Sequence, residues 1–166
     1  MKKLSRVLIV AAAVVLGFFA YQKLFPSEET KIHRLLNHVA ETVSFEPKEG
    51  NLSKLAAANK LGSYFSPEVE IAVQVPGGRL EEVQGKDEVV RLAMAARVTL
   101  TSAKVEFLDV TVAVDPSKLS AIADLTAKAT IPNEKDFFVQ ELKIGLNKTN
   151  EEWRISRVET VRVFRQ

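Results

Sequence analysis

Cysteine is absent from the 166 residues of this chain. Disulfide bonds, thiolate metal sites, cysteine nucleophiles and a lipid-modified N-terminal cysteine are therefore excluded. Acidic residues are missing from one segment, residues 1–26, which holds four basic residues. Without that segment the chain has 19 basic and 21 acidic residues, a net charge of −2 instead of +2. The remainder is faintly acidic, which argues against a nucleic-acid partner.

A long uncharged run occurs at residues 7–22 and reads VLIVAAAVVLGFFAYQ. With its apolar flanks it approaches the length of about 17–20 residues that a membrane-spanning helix needs. Three basic residues precede the run and Lys23 follows it. This asymmetry predicts a cytoplasmic N-terminus and an extracytoplasmic domain, periplasmic in a bacterium. We expect residues 1–26 to be a retained signal anchor that holds the protein in the membrane.

Removal of this segment as a secretory signal is the alternative. Signal cleavage needs small residues at positions −1 and −3. If Ala20 stood at −1, the bulky Phe18 would stand at −3, which disfavours cleavage without excluding a secreted domain. In either case residues 27–166 form the single predicted domain, which is long enough to bury a core without disulfides.

Helical periodicity dominates the first part of this domain. Ser27 is a good N-cap for an amphipathic helix that runs to about Val43. A short second helix is expected from Asn51, with Gly62 as its stop, and a third begins after Gly85. The supporting apolar positions are Ile32, Leu35, Leu36, Val39, Leu52, Leu55, Val89, Val90 and Ala93.

Alternation with a period of two predicts strands elsewhere in the domain. Two strands precede the third helix, and four longer ones follow it. The alternating segments are 69–75, 80–84, 100–114, 119–131, 137–147 and 152–164. Helices followed by a meander of antiparallel strands indicate the α+β class.

Three segments carry a resemblance to a known family: the opening helix at 32–43, VQGKDEVV at 83–90, and EEWRISRVETVRVF at 151–164. With the order of elements, they resemble the nuclear transport factor 2-like superfamily, which includes ketosteroid isomerase and SnoaL-type polyketide cyclases. The resemblance covers about residues 27–166. It implies a cone-shaped, cystatin-like roll in which helices pack on a strongly curved antiparallel sheet around a cavity. The superfamily contains both enzymes and binding modules, so the resemblance does not decide the activity.

Strand alternation predicts which side chains face the helices. Matching apolar faces pairs Ala127 with Leu142 on one hairpin and Val112 with Ala121 on the other. Gln140 is the strong polar group expected on this inner face. The predicted inner face comprises Val110, Val112, Ala121, Ala123, Leu125, Ala127, Gln140, Leu142 and Ile144.

A hollow behind this face would suit a small hydrophobic ligand, although a closely packed helix is the alternative. The side chains expected to line it are Tyr64, Phe65, Ala123, Leu125, Gln140, Leu142 and Trp153. The predicted inner face holds no carboxylate and no histidine. We therefore predict no catalytic residue, no cofactor and no metal ligand.

The favoured function is a membrane-tethered, non-catalytic binding or assembly module whose ligand the sequence does not name. A homodimer is expected through the outer sheet face, where Val161 and Val163 are apolar. The alternative is a small enzyme of the SnoaL or isomerase kind that acts on a hydrophobic substrate. It would need an acid or base from Glu68, Glu70 or Tyr64 at the rim.

The same strand register places Asp109 across from Asp124. Two close carboxylates can share a proton or bind a hard cation, whereas two solvated charges are the simpler interpretation. A bulge near Leu108 would remove the pairing. His33 and His38 lie five residues apart on the first helix and do not share a face, so no zinc site is expected.

Overall fold

The structure is a computed structural model that describes residues 26–74, 79–131 and 138–161. These ranges contain three helices: α1 (Glu28–Val43), α2 (Asn51–Ser63) and α3 (Lys86–Thr99). They also contain six strands: β1 (Phe65–Gln74), β2 (Leu80–Gln84), β3 (Lys104–Val114), β4 (Ser120–Thr130), β5 (Phe138–Thr149) and β6 (Glu152–Thr160). The α+β class and the order of elements predicted from the sequence are confirmed.

The six strands form one sheet in the order β2-β1-β6-β5-β4-β3. Neighbouring strands are antiparallel, as predicted, except for β1 and β6. These two are parallel, so the sheet is mixed and the prediction of an antiparallel sheet is wrong for this pair. The helices pack on one face of the sheet, and the core lies between the two layers. Ile32 and Leu36 of α1 are fully buried there, as is Val69 of β1. Apolar alternation therefore positions the sheet against the helices as predicted.

Helix α1 begins where the sequence predicted. The side-chain oxygen of Ser27 accepts a hydrogen bond of 3.2 Å from the backbone amide of Thr30. Glu28 and Glu29 lie in the first turn, where they face the positive end of the helix dipole. At the other end, the last turn contains no basic residue, so the carbonyl end of α1 depends on cations from elsewhere in the fold.

The register of two hairpins differs from the prediction by two residues. Ala127 pairs with Gln140, not with Leu142, which pairs with Leu125 instead. Val112 pairs with Ala123, not with Ala121. A shift of two leaves every side chain on the same face, so alternation alone could not distinguish these registers. The predicted inner face is therefore retained, although its cross-strand partners change.

A bulge in β3 removes the predicted pairing of Asp109 with Asp124. Two residues of β3, Asp109 and Val110, lie opposite the single residue Leu125, and Asp109 adopts a left-handed backbone with φ of 52°. Asp124 consequently pairs with Thr111 on one side and with Lys143 on the other.

Helix α2 is longer than the short helix predicted, since it spans 13 residues and continues through Gly62. Gly62 has a packing role there. A Cβ at this position would lie 2.4 Å from the Cγ2 atom of Val90 in α3. The glycine lets α2 and α3 approach each other closely, which explains why it lies within the helix.

None of the helices in the described part of the chain has the length and apolarity of a bilayer span. The predicted anchor at 7–22 and the outer-face position Val163 lie outside the described residues.

Candidate functional site

An apolar pocket of about 360 Å³ lies where the end of α1 meets α2, α3 and the first two strands. Its size falls near the lower end of the range of about 300–1,000 Å³ that is typical of small-molecule sites. It is lined by Val43, Phe45, Leu61, Ile71, Val83, Val89, Leu92, Ala93, Ala96, Arg97, Leu100 and Ala103. Leu92 is 40% exposed, so part of this apolar wall is open to solvent.

Eleven of the twelve lining residues are aliphatic or aromatic, and the twelfth is Arg97. A guanidinium does not give up its proton at physiological pH. Among the described residues, therefore, the pocket wall holds no group that can accept or deliver a proton. What this wall can do is bury apolar surface, since its one charged residue, Arg97, is itself almost wholly buried.

Arg97 is 4% exposed and is held by several partners. Its Nη1 atom donates a hydrogen bond of 2.5 Å to Oε2 of Glu49. Its Nη2 atom donates to the backbone carbonyl of Thr42 and, at 3.4 Å, to that of Ser44. The guanidinium carbon also lies 4.9 Å from the centre of the Phe45 ring. Arg97 thus supplies, from α3, the cation that the last turn of α1 lacks.

Arg97 is not among the residues predicted from the sequence, but the sequence contains a signal for it. Val89, Ala93 and Arg97 are spaced four residues apart and therefore lie on one stripe of α3. A cation at the end of an otherwise apolar stripe indicates a buried charge with partners outside its own helix. Applied to the third helix, this rule would have identified the pocket's one charge.

The seven residues predicted to line a hollow lie elsewhere in the interior. Phe65, Ala123, Leu125 and Trp153 are buried in the core, and Tyr64 and Leu142 pack against it. Gln140 lies on the inner face and donates a hydrogen bond of 2.5 Å to Oγ1 of Thr160. None of the seven is among the residues that line the 360 Å³ pocket.

A charged cluster lies at the opposite end of α1, and sequence reasoning missed it. Lys148 continues the inner face of β5 beyond Leu146, and its side chain is only 10% exposed. Its Nζ atom lies 3.3 Å from Oε2 of Glu28 and 2.8 Å from Oε2 of Glu151. If the alternation predicted for β5 is continued beyond Leu146, the next inward position is Lys148. The sequence could therefore have placed this side chain on the inner face of the sheet.

Glu28 is the centre of this cluster. It accepts hydrogen bonds of 2.7 Å from Nζ of Lys31 and from Nε1 of Trp153. The pKa of Glu28 falls from 4.5 to about 2, chiefly because Lys31 hydrogen-bonds the carboxylate, with further contributions from Trp153 and Lys148. A carboxylate held this firmly in its ionised form fastens the start of α1 to the sheet and is a poor proton carrier.

The acids considered for a catalytic role point away from the pocket. Glu68 and Glu70 are exposed, and Glu70 pairs with Arg157 at 2.6 Å on the outer face of the sheet. Tyr64 ends α2 and packs against the core. The structure therefore brings none of the three candidates into the pocket wall.

The structure brings together neither pair of candidate metal ligands, Asp109 with Asp124 or His33 with His38. Asp124 lies 3.7 Å from Nζ of Lys143 instead of facing Asp109. His33 is half-buried and His38 exposed. Within the described ranges no group of three or more histidine, aspartate or glutamate side chains is arranged to hold a metal ion.

Comparison with known proteins establishes the fold. No protein-family model matches the sequence, and no curated protein matches it. Among solved structures, a nuclear transport factor 2-like protein of unknown function from Pseudomonas putida superposes with a TM-score of 0.62 at 11% identity, over 82% of this chain and 87% of that one. A domain of unknown function with a cystatin-like fold from Nostoc punctiforme superposes with a TM-score of 0.61 at 14% identity, over 85% of this chain and 80% of that one.

A third similar structure is a scytalone dehydratase-like protein from Novosphingobium aromaticivorans, with a TM-score of 0.55 at 12% identity over 80% of this chain and 83% of that one. At these identities the likeness is one of fold. The chain has the cystatin-like fold of nuclear transport factor 2-like proteins, as the sequence resemblance implied.

Proposed function

We propose that this protein is a binding module that takes a small, predominantly apolar ligand into the pocket between α3 and the start of the sheet. The observation that carries the proposal is the composition of the wall: eleven apolar side chains around about 360 Å³, with one buried cation. Each methylene group that such a site removes from water contributes about 0.8 kcal/mol to binding. About ten buried carbons would therefore contribute about 8 kcal/mol, from which the entropic cost of association is subtracted.

The proposal favours binding over catalysis because of what the wall contains. Proton-transfer enzymes need a positioned acid or base within hydrogen-bond reach of the substrate. The described lining offers only Arg97, and Glu28, the acid with the most strongly shifted pKa, lies at the far end of α1. The likeness to a scytalone dehydratase-like protein concerns the fold and supplies no such residue.

The proposal also includes the location and assembly predicted from the sequence. Residues 7–22 would tether the module to a membrane, with the domain on the extracytoplasmic side, and the outer sheet face would join two copies. The support is the charge asymmetry around the apolar run and, on the outer sheet face, the apolar residues Ile122 and Val139, each 47% exposed. Carbonate extraction of membranes tests the tether, and release of the intact chain into the soluble fraction would contradict it.

A fluorescent probe of apolar sites tests the binding function. N-phenyl-1-naphthylamine gains fluorescence when it leaves water, so titration of the full chain reports its affinity. Ala96 lines the pocket, whereas the adjacent Ala95 is exposed on the same helix. Ala96→Phe fills the pocket and should weaken dye binding by at least about tenfold, since a bulky ring removes space that the ligand needs.

Ala95→Phe is the matched control, because it adds the same ring to the same helix outside the pocket. It should leave the affinity unchanged. Dye that binds to the apolar N-terminal segment would respond equally in the two variants and is thereby separated from the pocket. Equal affinity of Ala96→Phe and the unaltered protein would overturn the proposed function.

A further inference from the structure

Two of the apolar positions from which α2 is predicted face solvent instead of the core. Leu52 is 85% exposed and Leu55 is 48% exposed. The exposed stripe continues over Ala56 and Asn59, at the spacing of three and four residues that places side chains on one face of a helix. Leu61, on the opposite face, is buried. Large apolar side chains therefore gather on the outside of α2, and clustered exposed apolar surface commonly marks an interaction site.

Helix α3 adds to this surface. Val98 is 65% exposed and directly follows Arg97, whose Nη1 atom donates a hydrogen bond of 2.5 Å to Glu49. Glu49 lies three residues before Leu52, so this contact places Val98 and Leu52 at the same end of the two helices. Further along α3, Leu92 is also exposed. The exposed apolar face of the two helices comprises Leu52, Leu55, Leu92 and Val98.

The charge of this region is opposite in sign to that of the rest of the domain. Residues 44–63 and 86–99, which contain both helices and the segment before α2, have six basic and four acidic residues, a net charge of +2. The whole domain, residues 27–166, has a net charge of −2, which leaves −4 for the remainder. Helix α2 itself contains Lys54 and Lys60 and no acid. Apolar side chains combined with positive charge are suited to the surface of an anionic bilayer.

The size of the exposed apolar face favours a bilayer over a protein partner. Four partly exposed side chains are too few to bury the roughly 1,000 Å² that a stable, specific protein interface needs. A bilayer requires no complementary shape, and a contact within an already tethered chain can be weak, because the tether raises the effective concentration of the surface. The apolar run at 7–22 is the tether proposed above.

We propose that α2 and the end of α3 dock on an anionic phospholipid bilayer, with Leu52 and Leu55 among the headgroups and Lys60 beside their phosphates. This inference adds a second membrane contact to the proposed tether and does not depend on the ligand of the pocket. Leu92 belongs both to the exposed apolar face and to the pocket wall. The docked domain would therefore hold its pocket beside the lipid.

A fluorescent label on α2 tests the docking. The chain contains no cysteine, so one introduced thiol carries the label. Asn59→Cys places a nitrobenzoxadiazole label on the exposed stripe and leaves both leucines intact. Its emission rises when it leaves water, and we expect at least about a twofold gain when the full chain is in phosphatidylcholine vesicles that also contain phosphatidylglycerol. Thr111→Cys, exposed on the outer face of the sheet, is the control and should show equal emission with and without phosphatidylglycerol.

Substitutions on the docking face test the two contributions separately. Leu52→Gln and Lys60→Gln, each combined with the label at Asn59→Cys, should each remove at least about half of the gain, because they delete an apolar and a charged contact. Leu119→Gln and Lys118→Gln are the matched controls, since both residues are exposed in the β3–β4 turn. These two should leave the gain unchanged.

Flotation of the same vesicles separates this proposal from the tether. If the chain floats with both kinds of vesicle but the label on α2 shows no gain with phosphatidylglycerol, the docking is overturned and the tether stands. If the chain floats with neither, both fail. Equal gains at positions 59 and 111 would also overturn the docking, because the domain would then have no preferred face. A gain that needs no vesicles and rises with protein concentration would assign the face to a second copy of the chain instead.

Discussion

The indole nitrogen of Trp153 donates a hydrogen bond of 2.7 Å to Oε2 of Glu28. This contact joins the start of the last strand to the first turn of the first helix, 125 residues earlier in the chain. Trp153 is 7% exposed, so its ring also belongs to the core. The tryptophan that opens the last strand thus has a second role, as a donor that fixes where α1 begins.

Trp153→Phe tests this role. The phenyl ring keeps most of the apolar packing but removes the donor, so we expect a loss of about 1–2 kcal/mol in the free energy of unfolding. Urea denaturation followed by circular dichroism measures it. Glu29→Gln, in the same helical turn but exposed, should change stability by less than about 0.5 kcal/mol. Equal effects of the two substitutions would contradict the assignment.

The Glu28 cluster also predicts how stability depends on pH. Glu28 has a pKa of about 2 in the folded protein, compared with an ordinary value of 4.5. The ionised carboxylate of Glu28 therefore stabilises the folded protein above pH 4.5, and this stabilisation is lost as the pH falls from there towards 2. Because water screens this partly exposed group, we expect a loss of about 1–2 kcal/mol across that interval.

Glu28→Gln isolates this effect, because the amide does not titrate. The free energy of unfolding of the variant, measured by urea denaturation at a series of pH values, should fall less steeply over the same acidic interval. The difference between the two curves should be largest near neutral pH and should shrink in acid. Parallel curves would show that Glu28 does not titrate with a lowered pKa.

Gly62→Ala tests the close approach of α2 to α3. The added Cβ would lie 2.4 Å from Cγ2 of Val90, and a valine within a helix has one strongly preferred χ1 rotamer. We expect a loss of about 1–2 kcal/mol in the free energy of unfolding despite the better helix propensity of alanine. Gly50→Ala is the control, since no atom lies within 4 Å of a Cβ there, and it should stay within about 0.5 kcal/mol of the unaltered protein.

Asp109→Gly tests the bulge in β3. The φ of 52° at Asp109 lies in the left-handed region, where glycine has no steric cost. The substitution should therefore stabilise the fold by up to about 0.5–1 kcal/mol, measured as a higher urea midpoint. Asp124→Gly, at a paired strand position opposite Thr111, should instead destabilise the fold and lower the urea midpoint. Destabilisation by both would argue that the backbone at Asp109 is not strained.

Sequence periodicity predicted the order of elements and the faces of the strands, because both follow from which residues must leave water. It could not predict the pairing of Leu125 with Leu142, since registers two residues apart bury the same side chains. The bulge at Asp109 escaped prediction for a related reason. One extra residue in a strand changes partners locally while the apolar pattern on either side remains intact.

The site was less predictable than the fold. The expected lining, from Tyr64 to Trp153, lies in the core or against it, whereas the pocket lies beside Arg97 at the end of α1. Its position depends on how α2 and α3 pack over β1 and β2, a set of contacts between distant segments that no local pattern encodes. Periodicity nevertheless carried two unused signals, the cation on the apolar stripe of α3 and the inward lysine at position 148.

Helix α1 also sets a distance. Its 16 residues rise about 24 Å at 1.5 Å per residue, with Glu28 at one end and the pocket residue Val43 at the other. The cluster around Glu28 and the pocket thus lie at opposite ends of one helix. Substitutions at the two ends share no partner and are far apart, so their effects on the free energy of unfolding should add.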